Sequence, residues 1–420
     1  MHRLAILLVL IASSVPLLSA CSQQKVVEKP PAAAMPDHSR PLPPGQSALR
    51  LVTDPGCMPD LAGAYANRDV LLTAAIDQSL TWFAAPSSRQ FFPFESFTHE
   101  QARAGLFAFR DLLEGAADAT AFQADVLRMF DVYESVGYDG QGIVLFTGYY
   151  SPIFPAARTR TERFTEPLYR RPADLVTDPI TGEPQGRRTA DGRIVPYYTR
   201  REIEESRMFA GNELVWLEDA LSAYIIHVNG SAKLRLPDET VMYIGYNGKT
   251  GREYASLREE MVKAGVIDAD AVSLAAIRRV YRAKPQAVEE LMNRNENYVF
   301  FTEYDGARWP SGSLGVKVTA ENSLATDKKI YPRGGVVLVD THTVTFSSGS
   351  RRFLRFMLDQ DTGGAIRAPG RADIFMGIGR AAEVLAGGQA AEGRLYYLFL
   401  KPQYLPQYAK VLVRRPGNLK

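Results

Sequence analysis

Cysteine is nearly absent from this 420-residue chain: there are two, Cys21 and Cys57. Two thiols cannot build a disulfide framework. Histidine is also scarce. The five, at positions 2, 38, 99, 227 and 342, show no HExxH or related spacing, so a zinc site is not expected. Excess charge of one sign is missing too, with 49 Lys+Arg against 47 Asp+Glu and a formal net charge of +2. General nucleic-acid binding needs a strong positive excess, so nucleic acid is not an expected partner. Past the N-terminus no apolar run is long enough to span a bilayer, and no internal repeat is visible. What remains is a globular composition, 46% apolar and 23% charged, at a length that predicts two or three domains.

The first residues carry an address. Arg3 supplies a positive n-region and residues 4–12 an apolar core too short to cross a membrane as a helix. Leu18-Ser19-Ala20-Cys21 resembles the lipobox of bacterial lipoproteins. The resemblance implies that 1–21 is a signal peptide and that Cys21 is lipidated with three acyl chains, more than the two signals stable anchoring requires. Ser22 fits the outer-membrane sorting pattern, so the expected location is the periplasmic face of the outer membrane. An ordinary secretory signal cut near Ala20 is the alternative, and it too takes the protein out of the cytoplasm. Residues 22–50, rich in Pro, Ser, Lys and Gln, read as a disordered tether. Cys57, with no His near it in sequence, reads as a structural thiol rather than a nucleophile.

Residues 68–136 read as helical. Leu72, Ile76, Leu80 and Phe83 recur at helix spacing, as do Leu106, Phe109 and Leu113, then Phe122, Leu127, Phe130 and Tyr133. From residue 142 short β-rich runs take over, at 142–147, within 214–236, and at 239–246. Residues 256–264 and 271–280 read as short helices. Strand character returns at 298–302, 335–339, 343–346, 353–358 and 395–400, joined by Gly-rich turns, which suggests a barrel.

The segment 359–377 is the one with chemistry in it. Asp361 precedes Gly363 and Gly364, a pair able to take positive φ and let backbone approach a ligand closely. Asp373 lies within Ala-Asp-Ile-Phe-Met, where a strand puts it on one face with Phe375. Burying that carboxylate charged is expensive. Desolvation would raise its pKa, as a general acid at neutral pH requires. An edge-strand Asp facing solvent is the plain alternative from spacing alone.

Several segments together change that balance. Asp327 in SLATD, Asp361 in DTGGAI and Asp373 in ADIFMG resemble the three aspartates of the barrel domain in the membrane-bound lytic murein transglycosylase A family. FTGYYSP at 146–152, PLYRRP at 167–172, PYYTR at 196–200, HVNGSAKL at 227–234, GYNG at 245–248 and NENYVFF at 295–301 follow in the expected order. There are departures: Asn229-Gly230-Ser231-Ala232 replaces Gln-Gly-Ser-Gly, Arg333 replaces a Leu, and Asn322 replaces a basic residue.

The resemblance implies a mainly β fold with added helices. A double-psi β-barrel catalytic domain is expected from 51–154 and 298–420, with a smaller β-domain inserted over 155–297 and a groove between them. It also implies cleavage of the β-1,4 MurNAc–GlcNAc bond of peptidoglycan without water, leaving 1,6-anhydroMurNAc ends, with no metal or organic cofactor. Asp373 would be the single acid/base, and Asp361 either a second catalytic carboxylate or a brace. Asp327 is a substrate-side candidate or a turn residue. Thr147, Gly148, Tyr149 and Tyr150 would line the sugar site or pack a hinge. Asn229 and Ser231 would reach N-acetyl groups or form a turn, and Gly363 and Gly364 would approach the glycan. Expected partners are glycan strands, the outer membrane through the lipid anchor, and wall-synthesis enzymes. A non-catalytic glycan binder, a scaffold lipoprotein and a hydrolytic muramidase stand as alternatives. A lysozyme-like glutamate at Glu95 or Glu100 lacks a supporting pattern.

Overall fold

In a computed structural model, the described residues are 36–269, 271–347 and 349–413; the expected signal peptide with Cys21 and the tether through residue 35 lie outside them. Seventeen strands and eleven α-helices occur among the described residues, a mixture of sheets and helices rather than a mainly β fold. The tether ends earlier than residue 50. The His38 ring packs on Tyr138 with centroids 4.6 Å apart, and its Nε2 lies 2.8 Å from Glu392 Oε1. Ala48 and Leu49 are buried, and Leu49–Leu51 pairs with Phe130–Ser135. Apolar burial holds what composition alone reads as spacer.

The helices Leu72–Ala84, His99–Gly115 and Ala119–Met129 follow the expected apolar spacing. Thr98 and Asp118 cap the last two by accepting the N–H groups of Gln101 and Ala121, at 3.0 and 2.9 Å. Their apolar faces meet the outside of a sheet, with Phe109 and Phe122 edge-on to Phe356 at 5.0 and 5.6 Å. The helical pattern stops short of Tyr133, because Phe130–Ser135 is a strand in which Phe130 and Val132 are buried and Asp131 and Tyr133 partly exposed.

That sheet has eight strands in the order Leu49–Leu51, Phe130–Ser135, Ala390–Leu400, Val336–Val344, Ser350–Asp361, Ser323–Ala325, Arg371–Ile378 and Val144–Ser151. Val144–Ser151 also pairs with Ala390–Leu400, so the last six close into a ring. A second, six-stranded sheet runs Val299–Glu303, Val241–Lys249, Ser231–Arg235, Ile153–Ala157, Glu213–Leu217 and Glu166–Tyr169, and a third of three strands is nearby in sequence. The chain leaves the ring after Ser151 and re-enters it at Ser323. Val299–Glu303 belongs to the six-stranded sheet, so the return falls later than residue 298.

Within 214–236 the strands Glu213–Leu217 and Ser231–Arg235 flank a helix, Ala220–Asn229. Asp219 caps it through Ser222 N at 2.7 Å, and Gly230 at φ +73° ends it. Residues 221–227 are all buried, so the helix shows no polar face and its sequence reads like a strand.

Candidate functional site

Three ladders bring the expected residues into one row. Asp373 pairs with Thr147 on one side and with Ala325 on the other, and Ala325 pairs with Asp361. Neighbours across a sheet point to the same face, so Thr147, Asp373, Ala325 and Asp361 share one surface of the ring. Asp373 therefore sits on an internal strand, not on a solvent-facing edge.

Thr147 Oγ1 donates to Asp373 Oδ1. Arg371, two residues earlier on the same face, donates Nη2 to Thr147 Oγ1 at 3.2 Å and lies 3.8 Å from Asp373 Oδ1. Its Nε is buried with no hydrogen-bond partner among the described residues. Burial pushes the Asp373 carboxyl above its usual range; the Arg371 cation and the Thr147 hydroxyl oppose this without reversing it. The side chain is 16% exposed, and among the described residues its hydrogen bond and its ion pair both fall on Oδ1.

Asp361 is held differently. Oδ1 accepts the backbone N–H of Ser313 at 2.7 Å and of Thr362 at 2.8 Å, and Oδ2 accepts the Tyr149 hydroxyl at 2.9 Å. Burial raises its pKa against those three bonds. Tyr149 lies two residues from Thr147 on the same face, and burial, then Asp361, holds its phenol protonated. Under this row lies a buried ion pair that the sequence did not single out. Lys328 Nζ pairs with Asp359 Oδ1, while Asp359 Oδ2 accepts the hydroxyls of Thr326 and Tyr397, each at 2.8 Å.

Other expected residues are placed away from the row. Gly148 faces the opposite side of its strand, where a Cβ would come within 2.9 Å of Ala386 Cα and 3.0 Å of Gln389 Cβ. It is a packing point for the helix Gly379–Gly388. Tyr150 shares that side and donates to Glu383 Oε2 at 3.0 Å, where Arg278 also binds. Gly363 and Gly364 sit in an exposed loop and neither takes positive φ; the left-handed residue there is Ala368, at +68°. Asp327 accepts the N–H groups of Lys329 and Ala368, both at 3.0 Å, and so joins two loops. Glu95 binds the Ser47 hydroxyl and Glu100 pairs with Arg89. Cys57 is exposed.

Asn229 donates Nδ2 to Ile225 O at 2.8 Å and lines a cavity of about 190 Å³ with Tyr224, Tyr254 and Ser256. Ser231 is buried at the start of its strand, opposite Gly245. Burial raises the phenol pKa of Tyr254 in the cavity wall; Tyr224 and Asp373 add to this, and Arg371 opposes. Arg371 was findable as a cation two residues from Asp373 on a strand. Tyr254 carries no local signal. His227 is core: it accepts Val299 N at 3.3 Å, and burial holds it neutral.

A family model described as the MltA specific insert domain matches residues 145–302, and one described as the 3D domain matches 322–399. The membrane-bound lytic murein transglycosylase A of Vibrio cholerae serotype O1 is 30% identical over 271 residues, 63% of this chain and 68% of that protein. The Escherichia coli K12 protein of the same name is 29% identical over 279 residues, 65% of this chain and 70% of its own. Among solved structures, a membrane-bound lytic murein transglycosylase from Agrobacterium tumefaciens superposes with a TM-score of 0.67 at 24% identity, covering 86% of this chain and 99% of that one. E. coli MltA with bound chitohexaose gives 0.64 at 24% identity, with 87% and 97% covered. At these identities the two structures speak to the fold.

Proposed function

The chain belongs to the membrane-bound lytic murein transglycosylase A family, and from that premise we propose that it is a peptidoglycan lytic transglycosylase, a lyase that breaks the β-1,4 bond between MurNAc and GlcNAc. The six-stranded ring is read as a double-psi β-barrel, and the segment carrying the second and third sheets as an inserted domain. The glycan strand would lie across the groove between them, over the row that contains Asp373.

The observation that carries the reading is the Asp373 carboxyl. Its pKa is raised by burial, its Oδ1 is fixed by Thr147, and no hydrogen bond from the described residues reaches its Oδ2. A neutral carboxyl donates its proton to the glycosidic oxygen as that bond breaks and positive charge develops at C1 of MurNAc. The C6 hydroxyl of the same MurNAc then attacks C1 and gives its proton to the Asp373 carboxylate. The products are a GlcNAc hydroxyl and a 1,6-anhydro ring, and the enzyme returns to its starting state. Two-carboxylate glycosidases need a second group to activate water or attack the sugar. The intramolecular hydroxyl takes that place here, with an effective-molarity advantage of up to about 7–11 kcal/mol. Asp361 is poorly suited to activating water, because donors already engage both of its oxygens. It braces the loop after it and fixes Tyr149 beside the row.

We further read Cys21 as a lipid anchor to the periplasmic face of the outer membrane, with wall-synthesis enzymes as candidate partners. The test is digestion of purified peptidoglycan by the wild-type chain and by Asp373→Asn, with muropeptides identified by mass spectrometry. Anhydro-ended products from the wild type, and none from a folded Asp373→Asn, are expected. Reducing ends bearing solvent oxygen would mean a hydrolytic muramidase. Binding without cleavage by the wild type would mean a glycan binder or scaffold.

A further inference from the structure

Two hydrogen bonds in series end on Asp373. Arg371 Nη2 donates to Thr147 Oγ1 at 3.2 Å, and Thr147 Oγ1 donates to Asp373 Oδ1. The first member sets the direction, because a guanidinium only donates. The Thr147 hydroxyl accepts from it and has one hydrogen to give. Among the described residues, Asp373 Oδ1 is the acceptor that takes it. The next hydroxyl on that strand face, Tyr149, gives its hydrogen to Asp361 and stays outside the series. The Arg371 cation also stands 3.8 Å from Oδ1. No hydrogen bond from the described residues reaches Oδ2. The two oxygens of one carboxyl are thus set in unlike surroundings.

A neutral carboxyl carries O–H on one oxygen and a carbonyl on the other, and a donor suits the carbonyl oxygen. A proton on Oδ1 would face the Thr147 hydrogen, or force that hydrogen to turn where no described residue accepts it. Thr147 is half-buried, and an unmade bond there costs desolvation of the hydroxyl. The same proton would turn the positive end of an O–H dipole toward Arg371. A proton on Oδ2 meets neither obstacle. We propose that Arg371 and Thr147 are positioning residues that keep Asp373 Oδ1 as the carbonyl oxygen, so that Oδ2 is the atom that both gives the proton and takes it back. The Oδ2–H bond breaks as the glycosidic oxygen gains its hydrogen. It re-forms with the hydrogen that the C6 hydroxyl gives up when that oxygen bonds to C1. Thr147 donates to Oδ1 throughout, so neither transfer waits for a hydroxyl to turn. This rests on the functional reading above and assigns within it two side chains that act through Asp373.

Infrared spectroscopy tests it on the full chain without substrate. The difference between wild type and Asp373→Asn, at a pH where the carboxyl is neutral, isolates the Asp373 C=O stretch. Thr147→Val keeps the side-chain shape and removes the donor, so the stretch should rise in frequency, as a carbonyl losing a hydrogen bond does. Thr147→Ser should hold it at the wild-type position. A stretch that stays put in Thr147→Val overturns the proposal, because the hydroxyl is then not bonded to that carbonyl. Turnover of purified peptidoglycan, at a pH where Asp373 is neutral in every variant, gives the second reading. Thr147→Val should lower kcat by about 10-fold or more with KM near wild type, the loss of about one hydrogen bond's worth of barrier, and Thr147→Ser should recover most of it. Arg371→Leu acts through Thr147, so it should lower kcat much less in the Thr147→Val background than in wild type; equal fold losses in the two backgrounds overturn the proposal. Thermal melting checks that each variant folds. If the wild type leaves strands uncut, the functional reading and this inference fall together; if it cuts them while the stretch stays put in Thr147→Val, only the inference falls.

Discussion

Replacing Arg371 by Gln probes the electrostatic setting of Asp373. Nη2 lies 3.8 Å from Asp373 Oδ1, with the two side chains 18% and 16% exposed. Two unit charges at that separation attract by about 4 kcal/mol at an effective dielectric near 20, and by about 1 kcal/mol in bulk water. Removing the cation takes away that attraction for the charged form, so the carboxyl moves further up. Arg371 is the largest influence opposing burial, so the sign is fixed. The basic limb of the kcat/KM profile reports the acid of the free enzyme, and it should move toward higher pH. Stability follows by linkage. The folded pKa of Asp373 lies above the unfolded 3.8, so its contribution is full below that value and is lost as pH rises through the folded pKa. Arg371→Gln and wild type should unfold at similar denaturant concentrations in acid, where Asp373 is neutral in both. They should diverge as pH rises, with the variant losing more. A basic limb that stays in place or moves toward acid refutes the reasoning.

Lys328→Met leaves Asp359 charged and buried, and should cost about 3–5 kcal/mol in denaturant unfolding, whereas Lys328→Met with Asp359→Leu recovers most of it. Gly148→Ala pushes a methyl to 2.9 Å from Ala386 Cα and should lower stability by about 1–3 kcal/mol. The two adjacent tyrosines should behave differently in a turnover assay. Tyr149→Phe frees Asp361 Oδ2 and lowers kcat, while Tyr150→Phe, which loses its bond to Glu383 on the opposite side of the strand, leaves kcat near wild type.

Much of the candidate site was legible as a spatial grouping because its residues lie in short contiguous runs. Asp373 and Phe375 on one strand face, Thr147 and Tyr149 on the next strand, and Asp361 ahead of its loop could all be written down from alternation. Alternation also separates Thr147 and Tyr149 from Gly148 and Tyr150, which a motif read as one block does not. The role of Asp327 was hidden because its partner, the N–H of Ala368, is 41 residues away. The helix Ala220–Asn229 was missed because burial on every side removes the polar stripe that marks a helix. Pro285–Met292 was also missed, a short helix right after Leu274–Ala283. Phe130 and Tyr133 continue a helical spacing by coincidence, and pairing of Phe130–Ser135 with Ala390–Leu400 decides the matter at long range.

The ring closes only when Val144–Ser151 meets both Arg371–Ile378 and Ala390–Leu400. The first is made before the other two, with the whole excursion from residue 152 to 322 between them. An unfinished polypeptide, or one threaded only partway through a translocation pore, thus holds Thr147 and Tyr149 with nothing to work on. On the reading given above, a chain able to cut the wall stays harmless until Ala390–Leu400 has arrived where the wall is.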